Sequence, residues 1–375
     1  MSATIRAIGT AVPATTLQQD AVRDLFSAQP GLGRLGSRIV PAAFDASAVE
    51  HRHTVLGELD PAAAPGTFRD ADGLLHSPST GTRNDRYREL APALYVESAR
   101  DALERAGVDA ADDTHVVTVS CTGFTQPGPD LAIVTELGLR RTVFRHHIGF
   151  MGCCAAFPAL RSAAAFAEAD PTAVVLVVCA ELCTLHVRAS DDPDQIVANS
   201  VFGDGAAAVV VTADGPGLRV DAFATTVVPE GASEMAWNIG DEGFEMVLST
   251  AVPKLVGATV AEAVGPLLDG PAADVPVWAV HPGGRAILDR TQDALGLPDS
   301  AMVSSRAVLR DHGNMSSATV LFVLRHALDA GIEDGTPVVA LAFGPGLTVE
   351  CAALTAVGTS VAVASESLDL ATVAS

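Results

Sequence analysis

The run Ala173 to Ala180, AVVLVVCA, is eight consecutive apolar residues with no polar alternation, and it constrains this chain more than any other stretch. It has the length of a strand, and a strand apolar on both faces must be covered on both faces. AAAVVVTA after VFGDG and VVALAF before GPG repeat the pattern. None approaches the roughly 20 residues needed to span a bilayer. Between these runs, apolar residues recur at helical spacing in LAPALYVESARDALERA (about 91 to 107), CCAAFPALRSAAAFAEA, AVPKLVGATVAEAVGPLL and NMSSATVLFVLRHALDAG. Strand and helix alternate in both parts of the chain, which predicts an α/β fold of two similar halves, 1–215 and 216–375, joined at ADGPG. Residues 58 to 86, rich in Pro, Gly, Asp and Ala, read as an irregular surface excursion. The Ala/Ser/Val-rich tail after about Gly358 reads as partly disordered.

Composition removes several functions. A length of 375 residues with 49% apolar and 18% charged residues describes compact globular units. The formal charge of −22 argues against a nucleic-acid backbone as partner. Six cysteines without a CxxC pair form neither a disulfide framework nor a metal site, and His51/His53 and His146/His147 lack partners at ligand spacing. Lys254 is the only lysine and no phosphate-binding GxxxxGK[ST] loop exists, so Schiff-base chemistry and that nucleotide site are disfavoured. The N-terminal MSATIRAIGTAVPATT carries no secretory pattern, so the expectation is a reducing cytoplasm, with no metal and no membrane partner.

Cys153 follows IGFMG and opens an alanine-rich helical run, the pattern of a strand, a tight turn and a helix. A thiol at a helix mouth meets unpaired backbone N–H groups and the positive end of the dipole, which predicts a lowered pKa and nearby donors for an oxyanion. Pro158 fits the first turn of that helix, and the adjacent Cys154 is assigned to packing. Far downstream lie His281 in HPGG and Asn314 in GNMSSA. A thiolate holds an acyl chain as a thioester and also leaves readily, an imidazole moves its proton, and an amide supplies a fixed N–H donor. Taken alone, His281 is an ordinary strand-end histidine and Asn314 an ordinary helix N-cap.

The ordered motifs CTGFTQPGPD, LGLRRTVFRHHIGFMGCCAAFPALR, VFGDGAAAVVV, HPGGRAILD, GNMSSATVLFVL and FGPG resemble the type III polyketide synthases, the chalcone synthase-like branch of the thiolase-fold condensing enzymes. The likeness runs from AIGTAVP to FGPGLTVE. It implies a thiolase-like fold with a layered αβαβα core, the first half carrying the nucleophile and the second the histidine and asparagine. It implies Cys153 as acyl acceptor with His281 and Asn314 completing a triad. It further implies Phe202 as a gate, Cys121 and Thr122 in the cavity, and Gly344, Pro345 and Gly346 as a loop shaping cyclisation. The family's second gate phenylalanine is replaced: counting back from the Val-Pro of AVPKLV gives Met246, with Phe244 two residues away. The basic residues that bind coenzyme A phosphates in plant members have no evident match, and Arg38 and Arg52 are the substitutes.

The implied reaction loads an acyl-CoA starter on Cys153, extends it by decarboxylative condensation with malonyl-CoA, and cyclises the chain to a pyrone, resorcinol or phloroglucinol-type product. The implied enzyme is a homodimer with no cofactor beyond its CoA thioesters. A single-condensation enzyme like ketoacyl-carrier-protein synthase III shares the Cys, His, Asn order, but usually differs around the histidine. A third reading is a non-catalytic thiolase-fold assembly subunit, and the intact triad argues against it.

Overall fold

A computed structural model describes residues 3–359, so the expectation for the tail past Gly358 falls mainly on 360–375, outside the described residues. The first part runs β1 (Thr4–Ala11), β2 (Thr15–Gln18), α1 (Gln19–Ser27), α2 (Gly36–Ala46), β3 (His51–Thr54), α3 (Thr80–Ala106) and β4 (His115–Ser120). It continues through α4 (Asp130–Glu136), β5 (Phe144–Gly149), α5 (Ala156–Ala169), β6 (Val175–Leu182), α6 (Pro193–Val201) and β7 (Asp204–Thr212). After the turn at ADGPG come β8 (Gly217–Val227), β9 (Met235–Gly240), β10 (Gly243–Leu248), α7 (Val252–Val264) and β11 (Val277–Val280). The last described elements are α8 (Arg285–Leu295), α9 (Val303–His312), α10 (Thr319–Asp329), β12 (Pro337–Gly344) and β13 (Thr348–Val357).

Nine strands join in the order β11-β12-β13-β8-β1-β7-β6-β4-β5. Within the sheet the two parts join at the short pairing of β1 with β8, Thr4 with Arg219 and Ile5 with Leu218, the seam between two half-sheets. Side-chain alternation shows how they stack. On β6, Val175, Val177 and Cys179 enter one core while Leu176, Val178 and Ala180 enter another; on β12, Val338, Ala340 and Ala342 join the first core while Val339, Leu341 and Phe343 enter a third. The shared core is filled by α5 (Ala156, Ala159, Leu160, Ala163) and α10 (Val320, Leu321, Leu324). The outer cores are covered by α3 on one side and by α7 and α8 on the other. The result is five layers, αβαβα, and it explains the unbroken apolar strands: each faces helices on both sides.

Helix α3 begins at Thr80, about ten residues before the apolar period that announced it. Residues 80–90, TGTRNDRYREL, have almost no apolar face. Ser79 caps the helix by accepting from Thr82 N–H, and Arg83 is wholly buried with Nη1 donating to the carbonyls of Leu185 and Val187. A buried guanidinium therefore anchors the segment in place of an apolar stripe, and the irregular excursion is shorter than expected.

Candidate active site

Two half-sheets facing a shared helical layer bring the ends of β5, β11 and β12 and the start of α5 together. Cys153 lies in a single 3-10 turn, Gly152–Cys154, between β5 and α5. Pro158 falls in the first turn of α5, as the motif requires. No side chain caps that helix. The turn is closely fitted: Gly152 has φ of 64°, and a Cβ there would lie 2.3 Å from Pro345 Cδ. Only glycine satisfies both constraints. Cys153 is half-buried, whereas Cys154 is 1% exposed in the shared core with Sγ toward the carbonyl of Met151 at 3.3 Å.

Asn314 is held from the backbone outward. Its N–H donates to Val201 O at 2.8 Å and its carbonyl accepts from Gly203 N–H at 3.0 Å, pinning it to the segment between α6 and β7. Its side-chain oxygen accepts the N–H of Ser316 at 2.8 Å. That bond fixes which way the amide points; both amide atoms lie 3.9 Å from Cys153 Sγ, and Nδ2 is the one that can donate. Asn314 is thus a local Asx-type acceptor on one side and a free donor on the other. It is not the N-cap of α10, where Ala318 holds that position. Ser316 adopts φ of 47°, uncommon outside glycine, and its hydroxyl reaches Cys121 Sγ at 3.2 Å.

His281 stands at the end of β11, its N–H bonded to Leu341 O at 2.8 Å. Its ring is 1% exposed and neither ring nitrogen has a protein partner. Burial holds its pKa down at about 3, so the imidazole is neutral. Burial also pushes the Cys153 thiol up to about 11; hydrogen bonding from Ser316 and Asn314 pulls it down, and the Glu181 carboxyl pulls it further up. The lowering expected at the helix mouth is therefore not met in the resting chain, because burial outweighs the donors. Thiol and imidazole rest neutral, and the unprotonated one of the two unpartnered ring nitrogens is available to take the proton when substrate arrives.

Cys153, His281 and Asn314 line one cavity of about 400 Å³. The assigned residues Phe202, Met246, Cys121, Thr122 and Pro345 line it too. The hairpin of β9 and β10 places Met246 and Phe244 differently. Met246, paired with Trp237, faces the cavity, while Phe244 is buried behind it, stacked on His186 with ring centroids 4.1 Å apart. Of the Gly-Pro-Gly loop only Pro345 reaches the wall. A Cβ on Gly344 would lie 2.3 Å from Cys154 Sγ, and Gly346 donates to Met235 O at 2.9 Å, so both glycines set the loop's path and do not border the space.

Arg52 requires correction. It is 3% exposed, with Nη1 donating to the carbonyls of Asn199 at 2.5 Å and Phe202 at 2.9 Å and its guanidinium over the Phe44 ring. A side chain so enclosed cannot reach a nucleotide phosphate outside. Arg38 is exposed on α2, whose later residues Ala43, Ala46 and Ser47 line the cavity mouth. The motif reading missed Arg285, exposed at the start of α8 and the only guanidinium on the cavity wall. It also missed Trp237, whose Nε1 donates to Cys121 O at 2.7 Å, and Glu181. Glu181 is fully buried and accepts from Thr122 Oγ1 at 2.8 Å, Cys121 N–H at 3.0 Å and the Ser317 hydroxyl. A lone acid ending an otherwise apolar strand was the available signal for it.

Among the described residues the cavity wall carries no carboxylate, although the whole chain bears −22. Its ionisable groups are three thiols, one neutral imidazole and the arginine at the mouth. Such a space holds a nucleophile beside two N–H donors, and the nearest carboxyl, Glu181, sits behind the wall and is hydrogen-bonded to Cys121 and Thr122. Among the described residues no cluster of His, Cys, Asp or Glu could hold a metal ion, and no helix is long and apolar enough to cross a membrane.

Residues 1–215 match the family described as chalcone and stilbene synthases, N-terminal domain, and residues 218–358 match the C-terminal domain of chalcone and stilbene synthases. The chain is 33% identical over 360 residues to a 3,5-dihydroxyphenylacetyl-CoA synthase from Streptomyces toyocaensis, covering 92% of this chain and 88% of that one. It is 38% identical over 295 residues to bisdemethoxycurcumin synthase from Oryza sativa subsp. japonica, covering 73% of each. Its fold is thiolase-like. It superposes on the C-terminal type III polyketide synthase domain of a type I/III hybrid from Dictyostelium with a TM-score of 0.88 and 30% identity, covering 95% of this chain and 100% of that one.

Proposed function

The chain belongs to the chalcone and stilbene synthase family, and we propose how its site carries out the type III polyketide synthase reaction. The observation that carries the proposal is the amide of Asn314, whose oxygen accepts the Ser316 N–H and so fixes its orientation, with Nδ2 a donor 3.9 Å from Cys153 Sγ on a cavity wall without carboxylates. In loading, His281 takes the thiol proton, Cys153 Sγ attacks the acyl-CoA carbonyl, and the CoA sulfur leaves with that proton. In extension, malonyl-CoA loses CO2, and the enolate oxygen is held by Asn314 Nδ2 and an N–H of His281. The enolate carbon attacks the Cys153 thioester, the new C–C bond forms, and the Cys153 C–S bond breaks. The lengthened chain then returns to Cys153 or cyclises to a pyrone, resorcinol or phloroglucinol-type product.

Arg285 at the mouth is the residue we assign to the CoA phosphates, with Arg38 on α2 as a second contact. No cofactor beyond the CoA thioesters enters these steps. Phe202 and Met246 are proposed as the gate, and the apolar wall around them favours aliphatic starters. The enzyme is proposed as a cytoplasmic homodimer. Phe124, Phe144, Phe150 and Met151, each at least 40% exposed, lie on edge strand β5 and on the loops that follow β4 and β5, the surface a partner would cover. The decisive experiment incubates the protein with malonyl-CoA and a panel of acyl-CoA starters. Intact-mass spectrometry should find the acyl adduct on wild type and on Cys153 alone, and product spectra should show masses rising by successive ketide units. An adduct persisting in Cys153→Ala, or dependence on an acyl carrier protein, would reject the assignment.

A further inference from the structure

Behind the Phe202 wall lies a second, smaller cavity of about 30 Å³, between α1 and α6. Cys183, Phe202 and Trp237 border both this space and the catalytic cavity, so three side chains form the partition. Leu17, Val22 and Phe26 make one side of it apolar. Arg52 forms the other.

With Nη1 occupied by the carbonyls of Asn199 and Phe202, Arg52 keeps Nε and Nη2 without a partner, although the residue is only 3% exposed. Those two atoms make up one edge of the guanidinium. It is the edge that grips a carboxylate through two parallel N–H···O bonds. Asp204 supplies charge nearby but does not take the edge: its oxygens accept from Val55 N–H, Thr184 N–H and the Thr184 hydroxyl. Gln195, 5% exposed in the same cavity, leaves its Oε1 unpaired as well. A water needs on the order of 10–15 Å³ of such space, so the cavity has room for one small oxygenated group.

We propose that this side cavity receives a carboxylate at the far end of the acyl starter, so that α,ω-dicarboxylic acyl-CoA thioesters are preferred over monocarboxylic ones of equal length. The inference rests on starter loading at Cys153. The chain runs from the thioester through the catalytic cavity and passes between Phe202 and Trp237, and its terminal carboxylate meets the Nε–Nη2 edge of Arg52. An alkyl tail of the same reach places a methyl group against that edge and leaves both N–H groups unpaired. The only covalent step is thioester exchange from the CoA sulfur to Cys153 Sγ; the distal carboxylate is bound, not transformed.

The test is competitive loading, read by intact-mass spectrometry, of succinyl, adipyl and suberyl-CoA against butyryl, hexanoyl and octanoyl-CoA. At the length that spans the partition, the dicarboxylic adduct should exceed its partner by about tenfold. Arg52→Lys keeps the charge and loses the planar fork, so the ratio should fall toward one while monocarboxylic loading stays within about threefold of wild type. Ala198 borders only the side cavity, so Ala198→Leu should cancel the preference by filling that space, and it gives an answer even if the Arg52 variant does not fold. Monocarboxylic loading without a dicarboxylic preference at any length overturns this inference alone. So does a preference that survives Ala198→Leu, or an equal loss of both classes in a folded Arg52→Lys. Failure of every CoA thioester to acylate Cys153 overturns the synthase mechanism and this inference with it.

Discussion

Cys153 Sγ lies 3.9 Å from both Oδ1 and Nδ2 of Asn314, and because Oδ1 accepts the N–H of Ser316 the orientation of the amide is fixed, with Nδ2 as the donor it offers. An amide without that second bond could flip and offer its oxygen, which would repel an enolate.

Asn314→Ala is therefore expected to slow malonyl-CoA decarboxylation by about 10²–10³-fold, as loss of one oxyanion donor does elsewhere. Starter loading on Cys153 should fall far less. Rapid-quench measurement of the two half-reactions separates them, and equal losses would show that Asn314 supports the thiol and not the enolate.

The neutral resting pair has its own signature. With the thiol pushed up to about 11 by burial, alkylation of Cys153 by iodoacetamide in the absence of substrate should keep rising about tenfold per pH unit beyond pH 9, where an ordinary thiol levels off. His281, held down at about 3 by burial, should contribute no inflection between pH 5 and 8. A plateau below pH 8 would mean that Cys153 rests as a thiolate.

Much of this site was legible in the motifs, and the limits of that reading are physical. Cys153 stands at a strand-turn-helix junction and His281 at a strand end, features that local spacing reveals. Arg52 was misjudged because a sequence shows charge and not burial. Its place behind the Phe202 wall depends on β3, α2 and α6 meeting in space, contacts separated by about 150 residues. That Met246 lines the cavity while Phe244 lies buried behind it could likewise be seen only from the hairpin's register, in which a two-residue shift keeps the same face but changes depth. The α/β halves could be read from the doubly apolar strands and their five-layer stacking only from the family resemblance, whereas the early start of α3 rests on a buried arginine that no apolar period announces.

Asp113 is fully buried with neither carboxylate oxygen paired, and burial raises its pKa to about 8, against the opposing pull of Arg140. An unfolded aspartate titrates near 3.9. Between roughly pH 4 and 8 the native chain thus holds a proton that the unfolded chain has lost, so this group lowers stability as pH rises through that window and adds no slope outside it. Asp113→Asn should raise the urea midpoint at pH 8 and leave it nearly unchanged at pH 4. An equal shift at both values would assign the effect to packing.

Met246 lies on the cavity wall beside its cross-strand partner Trp237 and is the residue proposed for the second gate. An unbranched thioether with three rotatable bonds can swing aside for a long acyl chain, whereas a ring has two torsions and a rigid plane. Met246→Phe should therefore lower kcat/KM for the longest starters about tenfold or more while leaving acetyl-CoA within about twofold. The graded loss is the discriminating feature. A substitution that merely disturbed the hairpin would weaken the Trp237 bond to Cys121 O and depress every starter alike. A uniform fall across starter lengths would place the length limit elsewhere on the wall, with the partition of Cys183, Phe202 and Trp237 the next element to alter.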